Sequence, residues 1–204
     1  MTSAVDDLVA RSGAGCRSDA RRNVERLVAA ARAALDEEGL GVTTRAVAKR
    51  AGVGLGTLYR RVPSLDSLLS AILADTIGEM TDQAVRARDD PDPWAGFVRF
   101  AETYVQLRAA SCGLHAALGG TNDAALDAAI GRLRAALRRL VRHAQQAGAV
   151  RGDLDWRDVP FALASAIPTD HTVGLEARSD QWRRNLGIIL EGLRDPTAPG
   201  SPTS

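Results

Sequence analysis

Residues 43–61, TTRAVAKRAGVGLGTLYRR, decide the fold of this chain. Apolar and small residues recur three and four positions apart on both sides of a glycine, which is typical of two short helices joined by a turn. We expect Thr44 to cap the first helix, Gly52 to end it in the left-handed conformation, and Leu58 to anchor the second helix in a shared core. The stretch therefore predicts a helix-turn-helix.

The second helix of this pair leaves polar and aromatic groups on the face that the core does not use. Hydroxyl, phenol and guanidinium groups on one helical face suit the major groove of a DNA duplex. The outward residues are Gly54, Leu55, Thr57, Tyr59 and Arg60. Helix pairs with a glycine turn also occur in helical proteins that bind no nucleic acid, so the pattern alone leaves both interpretations open.

The residues around this pair resemble a known family. The segment AGVGLGTLYRRVPSLDSLL, which runs from Ala51 to Leu69, resembles the N-terminal domain of TetR-family transcriptional regulators, whose pattern reads A-G-V-S-x-G-T-L-Y-x-H-F-x-S-K-E-x-L. The resemblance implies a regulator of transcription that binds double-stranded operator DNA. The positions that match in register are Ala51, Gly52, Val53, Gly56, Thr57, Leu58, Tyr59, Ser64 and Leu68.

Three positions depart from the family pattern. Gly54 stands where the family usually has a serine that caps the recognition helix, and Val62 stands where it usually has phenylalanine. Leu65 replaces a lysine that typically contacts phosphate in the family. We therefore expect DNA affinity to depend more on Arg60, Arg61 and the N-terminal arm.

The pattern and the resemblance together predict the surface that meets DNA. Basic side chains neutralise phosphates, and the second helix of the pair reads base edges. The expected DNA-binding residues are Arg21, Arg22, Thr43, Thr44, Lys49, Gly54, Leu55, Gly56, Thr57, Tyr59, Arg60 and Arg61.

The distribution of charge is compatible with this interpretation. Residues 1–65 hold eleven Lys and Arg against seven Asp and Glu, a net charge of +4, whereas the remainder holds fifteen against eighteen, a net charge of −3. A positive N-terminal segment followed by a mildly negative remainder fits a DNA-binding domain joined to a second domain. Ordinary scatter of charge would also produce differences of this size.

The chain carries no signal of secretion, membrane insertion or catalysis. It has no apolar N-terminal run, no stretch of about 20 apolar residues, and no Cys-x-x-Cys pair, so we expect a reduced cytoplasmic protein. His115, His143 and His171 are dispersed without partners at metal spacing, and no phosphate-binding glycine loop or G-x-S-x-G is present. We expect no enzymatic activity, no cofactor and no metal.

Helical periodicity continues through the rest of the chain, without the two-residue alternation of strands. We predict an all-α fold of about nine helices, with an N-terminal three-helix helix-turn-helix domain and a larger helical domain for ligand binding and dimerisation. The expected segments are a flexible arm at 1–18, the DNA-binding domain at 19–65, the regulatory and dimerisation domain at 66–194, and a disordered tail at 195–204.

Capping residues and prolines divide the larger domain into helices. Asp92 with Pro93 begins one helix, and another runs from Asp123 to Ala147 with its arginines outward. Asp155 and Asp158 resemble a capping box for a helix that Pro168 kinks or ends. We expect the last two helices over 155–171 and 180–194.

In the resembled family, the last two helices of each subunit pack against those of a second subunit. By that resemblance we expect a homodimer, whose two-fold symmetry implies a near-palindromic operator. The apolar stripe of the last helix fits the core of a single chain equally well. The candidate interface residues are Leu163, Ile167, Trp182, Leu186, Gly187, Ile189, Leu190 and Leu193.

The resemblance also implies an unidentified small-molecule effector bound between the central helices. Phe100 and Leu107 lie off the stripe that Trp94 begins, so this helix is apolar on two sides and is either centrally buried or lines a pocket. The same residues would also fill an ordinary core, and some family members have no known effector. The candidate pocket residues are Trp94, Phe97, Phe100, Tyr104, Leu107, Cys112, His115, Leu118, Phe161 and His171.

The sequence thus favours a ligand-responsive repressor that acts as a homodimer. The alternative is an α-helical protein-interaction module, in which Tyr59, Arg60 and Arg61 meet an acidic protein. Counterion release makes binding to duplex DNA steeply dependent on salt, so a salt titration distinguishes the two.

Overall fold

The protein folds mainly into α-helices. The structure, a computed structural model, describes residues 3–6, 17–110 and 123–197, without the side chains of residues 17–21, Leu40 and Arg61. The helices with described bounds are α1 (Arg17–Glu38), α2 (Thr44–Ala51), α3 (Leu55–Arg61), α4 (Leu65–Arg88), α5 (Pro93–Ala110), α6 (Ala124–Gln146), α7 (Asp158–Ala164) and α8 (Gln181–Leu193). The predicted helical fold class is confirmed, with a two-stranded hairpin between α7 and α8 as a small exception.

The chain divides into two compact units. The first contains the described residues up to Gly78, together with Ala110 and residues 123–131. The second contains Glu79–Ala109 and the described residues from Arg132 onward. Both α4 and α6 contribute residues to both units.

One apolar stripe of α1 provides much of the core of the first unit, as its helical spacing predicts. Leu27 and Ala31 have no exposed surface, and Val24 and Leu35 are also buried. The helix passes into a 3-10 turn at Gly39–Gly41, whose first residue has a positive φ of 69°. Glycine adopts that backbone conformation without strain, which explains why α1 ends there.

Residues 3–6 are attached to α4. The main-chain N–H groups of Ala4 and Val5 donate to the Asp75 carboxylate at 2.6 and 3.2 Å, and the Ser3 hydroxyl donates to it at 2.5 Å. Val5 is also buried. The predicted arm is therefore held at this point through a contact between distant residues, which composition does not reveal. Residues 7–16 of the predicted arm lie outside the described ranges.

Aspartates begin α5 and α6, as predicted. Asp92 accepts hydrogen bonds from two main-chain N–H groups in the first turn of α5, both at 3.0 Å. Asp123 accepts from the N–H groups of Ala125 and Leu126 at 2.9 Å. The bond from Leu126, followed by those from the Ser70 hydroxyl and Ala125, holds the pKa of the Asp123 carboxyl below its usual range.

The junction between α4 and α5 requires a residue without a side chain. A Cβ atom on Gly96 would overlap the carbonyl oxygen of Ala87 and lie 2.9 Å from the Cβ of Asp90. Real Cβ atoms essentially never approach other atoms this closely. Gly96 therefore permits the close contact between the first turn of α5 and the end of α4.

The amphipathic pattern of α6 agrees with its sequence. Gly148 follows the helix with φ +66° and ends it, as expected. The arginines of the outer face, Arg132, Arg138, Arg139 and Arg142, are exposed. The buried inner face consists of Leu126, Ile130, Leu133, Leu137, Leu140 and Ala144.

The segment predicted as one helix over 155–171 is instead a short helix followed by a turn. α7 begins at Asp158, whose carboxylate accepts the Asp155 N–H at 2.9 Å and so forms half of the expected capping box. The helix ends at Ala164, and the Ser165 hydroxyl bonds back to the carbonyl of Ala162 at 2.7 Å. A serine that bonds locally competes with helix continuation, and Pro168 further disfavours it.

A small hairpin follows α7. Strand β1 (His171–Thr172) pairs antiparallel with β2 (Leu175–Glu176), with His171 opposite Glu176. Val173 and Gly174 between them have φ values of +43° and +78°, which is typical of a two-residue type I′ turn. The expectation of helices alone in this part of the chain is therefore wrong.

Candidate nucleic-acid interface

The turn between α2 and α3 has the predicted geometry. Gly52 lies in the left-handed region with φ +64°, and its N–H donates to the carbonyl of Lys49 at 3.2 Å. The next N–H, from Val53, donates to the carbonyl of Ala48 at 3.0 Å. These bonds satisfy carbonyls at the end of α2 and turn the chain into α3.

A small core holds the helix-turn-helix together. Val47 of α2 and Leu58 of α3 have no exposed surface, and Ala48 and Ala51 are buried beside them. Val62, which stands where the family pattern usually has phenylalanine, is also buried. The inward spacing that predicted this core is confirmed, and α3 is thereby fixed to α2 with its other face outward.

The caps of the two helices differ from each other. Thr43, rather than the predicted Thr44, caps α2, because its Oγ accepts the Ala46 N–H at 3.2 Å. Thr44 is already the first helical residue and is half-buried, whereas Thr43 is exposed. Gly54 has the extended backbone of an N-cap but provides no side-chain hydrogen bond to α3. The N-terminus of α3 therefore lacks the side-chain hydrogen bond that a serine at position 54 would provide, as expected.

The outward face of α3 is open to solvent. Tyr59 is 58% exposed and Leu55 is 42% exposed, which is unusual for large apolar side chains. Arg60 is exposed, and its guanidinium donates to the Oγ of the half-buried Thr57 at 3.4 Å. Gly56 is exposed in the same turn. The residues predicted to read bases thus share one accessible face.

The remaining predicted contacts lie around this face or outside the described side chains. Lys49 in the last turn of α2 and Arg22 on α1 are exposed. The side chains of Arg21 and Arg61 lie outside the part that the structure describes. Leu65, which replaces the phosphate-binding lysine of the family pattern, is buried at the start of α4. That position therefore supports packing rather than a phosphate contact.

The predicted effector residues divide between the interior and the surface of the second unit. On α5, Trp94 and Leu107 are half-buried, while Phe97, Phe100 and Tyr104 are buried. Cys112, His115 and Leu118 lie outside the described residues.

Two residues of this prediction are misplaced. Phe161 is 80% exposed, because α7 turns Val159 and Leu163 inward and leaves Phe161 on the opposite side. His171 is exposed on β1. Neither residue lines the interior of its own chain.

Aromatic rings follow one another along α5 and end at an arginine. Trp94 stacks on Phe97 with ring centroids 5.9 Å apart, and Phe100 lies 5.9 Å from Tyr104. The Tyr104 hydroxyl lies near the guanidinium of Arg108, one turn farther along the helix. Burial raises the pKa of the Tyr104 phenol, and the positive charge of Arg108 acts in the opposite direction.

The predicted dimer residues lie on α7, in the turn after it and on α8, and they include both buried and exposed positions. Ile167, Trp182 and Ile189 are half-buried, and Gly187 is exposed. α7 packs on α8, and the Asn185 amide donates to the carbonyl of Ala166 at 3.2 Å. The predicted residues that are instead buried in the core of their own chain are Leu163, Leu186, Leu190 and Leu193.

The exposed apolar residues of this region are different ones. Ile188 is 74% exposed on α8, and Phe161 occupies the outer side of α7. Val173 and Leu175 of the hairpin are 90% and 66% exposed. The sequence predicts Phe161 as a pocket residue and gives no role to Val173, Leu175 or Ile188. An apolar residue outside the buried stripe was the available signal for Ile188.

The described residues give no sign of a membrane span or a metal site. No helix among them is both long and apolar enough to cross a bilayer. The same ranges contain no group of three or more His, Cys, Asp and Glu side chains that could hold a metal ion.

Two family profiles match the chain. The profile described as "Bacterial regulatory proteins, tetR family" matches residues 27–72, which include the helix-turn-helix. The profile described as "Transcriptional regulator SbtR-like, C-terminal domain" matches residues 92–195, about half of the chain. The two matches agree with the division between a DNA-binding head and a C-terminal body in the family pattern.

Two solved structures share the fold of this chain, and a further regulator shares part of its sequence. A TetR transcription regulatory protein from Mycobacterium vanbaalenii is 32% identical, with a TM-score of 0.59, and the match covers 88% of this chain and 99% of that one. A TetR transcriptional regulator from Streptomyces coelicolor is 27% identical, with a TM-score of 0.61, over 85% of this chain and 99% of that one. An HTH-type transcriptional regulator from Mycobacterium tuberculosis is 36% identical over 85 residues, which are 40% of this chain.

The match to the M. tuberculosis regulator covers only 36% of that protein's length. The M. vanbaalenii structure, by contrast, is covered almost completely. These relatives are transcriptional regulators rather than enzymes, as expected for this chain. The combined evidence of profile, identity and fold shows that the chain belongs to the TetR family of bacterial transcriptional regulators.

Proposed function

We propose that this protein is a cytoplasmic, ligand-responsive repressor that binds a near-palindromic operator as a homodimer. The observation that carries the proposal is the position of its exposed large apolar side chains. Within the described ranges they occur in two parts of the chain, at Leu55 and Tyr59 on α3 and in the segment from α7 through the hairpin to α8. Exposed apolar groups in clusters mark surfaces that contact partners. The second group consists of Phe161, Val173, Leu175 and Ile188.

We assign α3 to the major groove of the operator. The Arg60 guanidinium makes one long hydrogen bond, 3.4 Å from its Nη2 atom to the Oγ of Thr57. Its other N–H groups are therefore available to bind the edge of a guanine base. Thr57 lies beside it and is assigned the same role of reading bases. Tyr59 and Arg61 are assigned to phosphates, which determine affinity but carry no sequence information.

We assign the surface between α7 and α8 to a second copy of the chain. In a two-fold dimer the same patch meets itself, so an apolar patch is complementary to its own copy. Phe161 and Ile188 are exposed on α7 and α8, two helices that pack together, and we assign both side chains to this interface. Such a dimer places two α3 helices on half-sites separated by one or more turns of the duplex.

We propose that an effector in the second unit controls DNA binding through α4. This helix is continuous from Leu65 to Arg88, so a displacement of one end is carried along it. The effector must prefer the state in which the two α3 helices no longer match successive grooves, since equal affinity for both states would shift nothing. α5 contributes the buried aromatic side chains that suit an apolar ligand.

Alanine substitutions at Arg60 and Arg61 should have different effects on DNA binding. Arg60→Ala should relax the preference at one base pair of the site, at a cost of about 1–3 kcal/mol for the preferred sequence. Arg61→Ala should weaken binding to all duplexes and lower the slope of log K against log salt by about 1. Fluorescence anisotropy with labelled duplexes over a range of salt measures both quantities.

Arg134→Ala is the matched control, because Arg134 is an exposed arginine of α6 that does not belong to the helix-turn-helix segment. It should leave sequence preference and salt slope unchanged. An unchanged base preference in Arg60→Ala would remove Arg60 from the reading surface. Binding to duplex DNA without a salt slope would instead favour the protein-interaction module, in which this patch meets an acidic protein.

A further inference from the structure

Two polar side chains on α5, the buried Tyr104 and the half-buried Arg108, have hydrogen-bond donors without acceptors among the described residues. The Arg108 guanidinium lies near the Tyr104 hydroxyl, and because arginine only donates, the tyrosine oxygen is the group that can accept from it. The phenolic proton of Tyr104 is therefore free to donate elsewhere. The Nε–H of Arg108 is buried and has no hydrogen-bond partner among the described residues.

The charge of Arg108 has no carboxylate partner among the described residues. Arginine stays protonated in proteins, and Arg108 is half-buried, so part of its guanidinium is shielded from water. The ion pairs of the described part of the chain involve other arginines, such as Arg99 with Asp90 and Arg151 with Asp153, and none involves Arg108. An unpaired buried donor costs free energy, so the Nε–H of Arg108 is a group that a bound acceptor would stabilise.

The surroundings of the pair on α5 are apolar. Tyr104 is only 6% exposed, and Phe100, one turn earlier, has its ring centroid 5.9 Å from that of Tyr104. Phe97 continues the same buried run toward the start of the helix. A charged group held at Arg108 would thus lie at the end of a run of aromatic side chains, which suits a molecule with an anionic head and an apolar body.

We propose that Tyr104 and Arg108 form the anion-binding end of the effector site, and that the effector is an apolar molecule with a carboxylate. The Nε–H of Arg108 and the O–H of Tyr104 provide two donors for the two carboxylate oxygens. This inference rests on the proposed function, since it names the chemical class of the effector. It assigns a role to a residue, Arg108, that the sequence does not single out.

Decanoate and 1-decanol test this proposal, because they share an apolar chain and differ in the charged head. Isothermal titration of the full-length protein at pH 8, below the concentration at which decanoate forms micelles, measures both affinities. We expect decanoate to bind at least roughly tenfold more tightly than 1-decanol, because hydrogen bonds to charged groups are the stronger ones. Decyl phosphate, as a third probe, should bind less tightly than decanoate if the site suits a planar carboxylate.

Variants identify the residues responsible for this preference. Arg108→Met should bind decanoate and 1-decanol equally, Arg108→Lys should retain part of the preference, and the exposed control Arg134→Met should behave as wild type. The double variant Tyr104→Phe/Arg108→Met removes both partners, so its ligand-free form should melt no lower than wild type. A structural pair would instead lower the melting temperature and leave the preference for decanoate unchanged.

Three results would overturn the proposal: no binding of decanoate, equal binding of decanoate and 1-decanol, or a preference that survives Arg108→Met. Tighter binding of decyl phosphate would replace the carboxylate with a phosphate and overturn the assigned class. Duplex binding measured without any ligand separates this proposal from the proposed function. Carboxylate binding without DNA binding would contradict only the repressor, and DNA binding without carboxylate binding would contradict only this site.

Discussion

Replacing Phe161 and Ile188 by aspartate is expected to produce a folded monomer that has lost tight operator binding. Both side chains face solvent in the single chain, at 80% and 74% exposure, so the monomer should tolerate the charges. In a two-fold dimer the introduced carboxylates would be desolvated and would face their own copies, which strongly disfavours association. A monomer has only one helix-turn-helix domain to bind the operator, so its affinity should be lower by roughly 10²–10⁴-fold.

Sedimentation velocity, circular dichroism and duplex titration measure the mass, the fold and the affinity of this double variant. Arg184→Asp is the matched control, since it places an aspartate at another exposed position of α8. It should remain dimeric. A double variant that stays dimeric with unchanged operator affinity would show that this surface is not the interface. Leu186→Ala provides a contrast, because its buried side chain predicts a loss of stability of about 2–5 kcal/mol.

Gly96→Ala is expected to destabilise the protein by about 1–3 kcal/mol or more, because the new methyl group overpacks the junction of α4 and α5. The atom that it meets is a backbone carbonyl, that of Ala87, which cannot move aside as a flexible side chain does. Urea denaturation followed by circular dichroism measures the free energy of unfolding. The slope with denaturant should remain unchanged, since the exposed area on unfolding is the same.

The matched control for this substitution is Gly131→Ala. Gly131 is exposed within α6, and an added Cβ there would meet nothing within 4 Å. Alanine is the better helix former, so this variant should be more stable by up to about 1 kcal/mol. Equal effects of the two substitutions would mean that the α4–α5 junction has room for a methyl group, contrary to the geometry described above.

The helix-turn-helix was predictable because its signals are local. The left-handed Gly52 and the buried Val47 and Leu58 all lie within the twelve residues 47–58, and each has a distinct physical role. The cap was displaced by one position because Thr43 and Thr44 have the same side chain, and only backbone geometry distinguishes them. The missing cap at Gly54 was also readable, since glycine has no acceptor to offer.

The hairpin after α7 was not predictable from pattern. Two strands of two residues are too short to show alternation. Type I′ turns favour Asn-Gly, and a β-branched residue such as Val173 at positive φ is an outlier that sequence rules do not anticipate. The end of α7 depends on the local bond of Ser165, which competes weakly with helix formation.

The interface and the arm show a different limit of sequence analysis. The stripe of Leu186, Leu190 and Leu193 was recognised, but periodicity does not tell whether a stripe faces its own chain or another. The hydrogen bonds from Ser3, Ala4 and Val5 to Asp75 join residues that are far apart in sequence. Such contacts arise only when the chain is folded, so composition and periodicity give no sign of them.

Selection of binding sites from a random duplex library tests the central claim most directly. A homodimer with one α3 helix in each half-site should enrich a two-fold symmetric sequence, bound more tightly than random duplex by roughly 10³-fold or more. The spacing of the half-sites should correspond to one or more turns of the duplex, and the Phe161→Asp/Ile188→Asp variant should fail to enrich it. The absence of any sequence bound more tightly than random duplex would contradict the account.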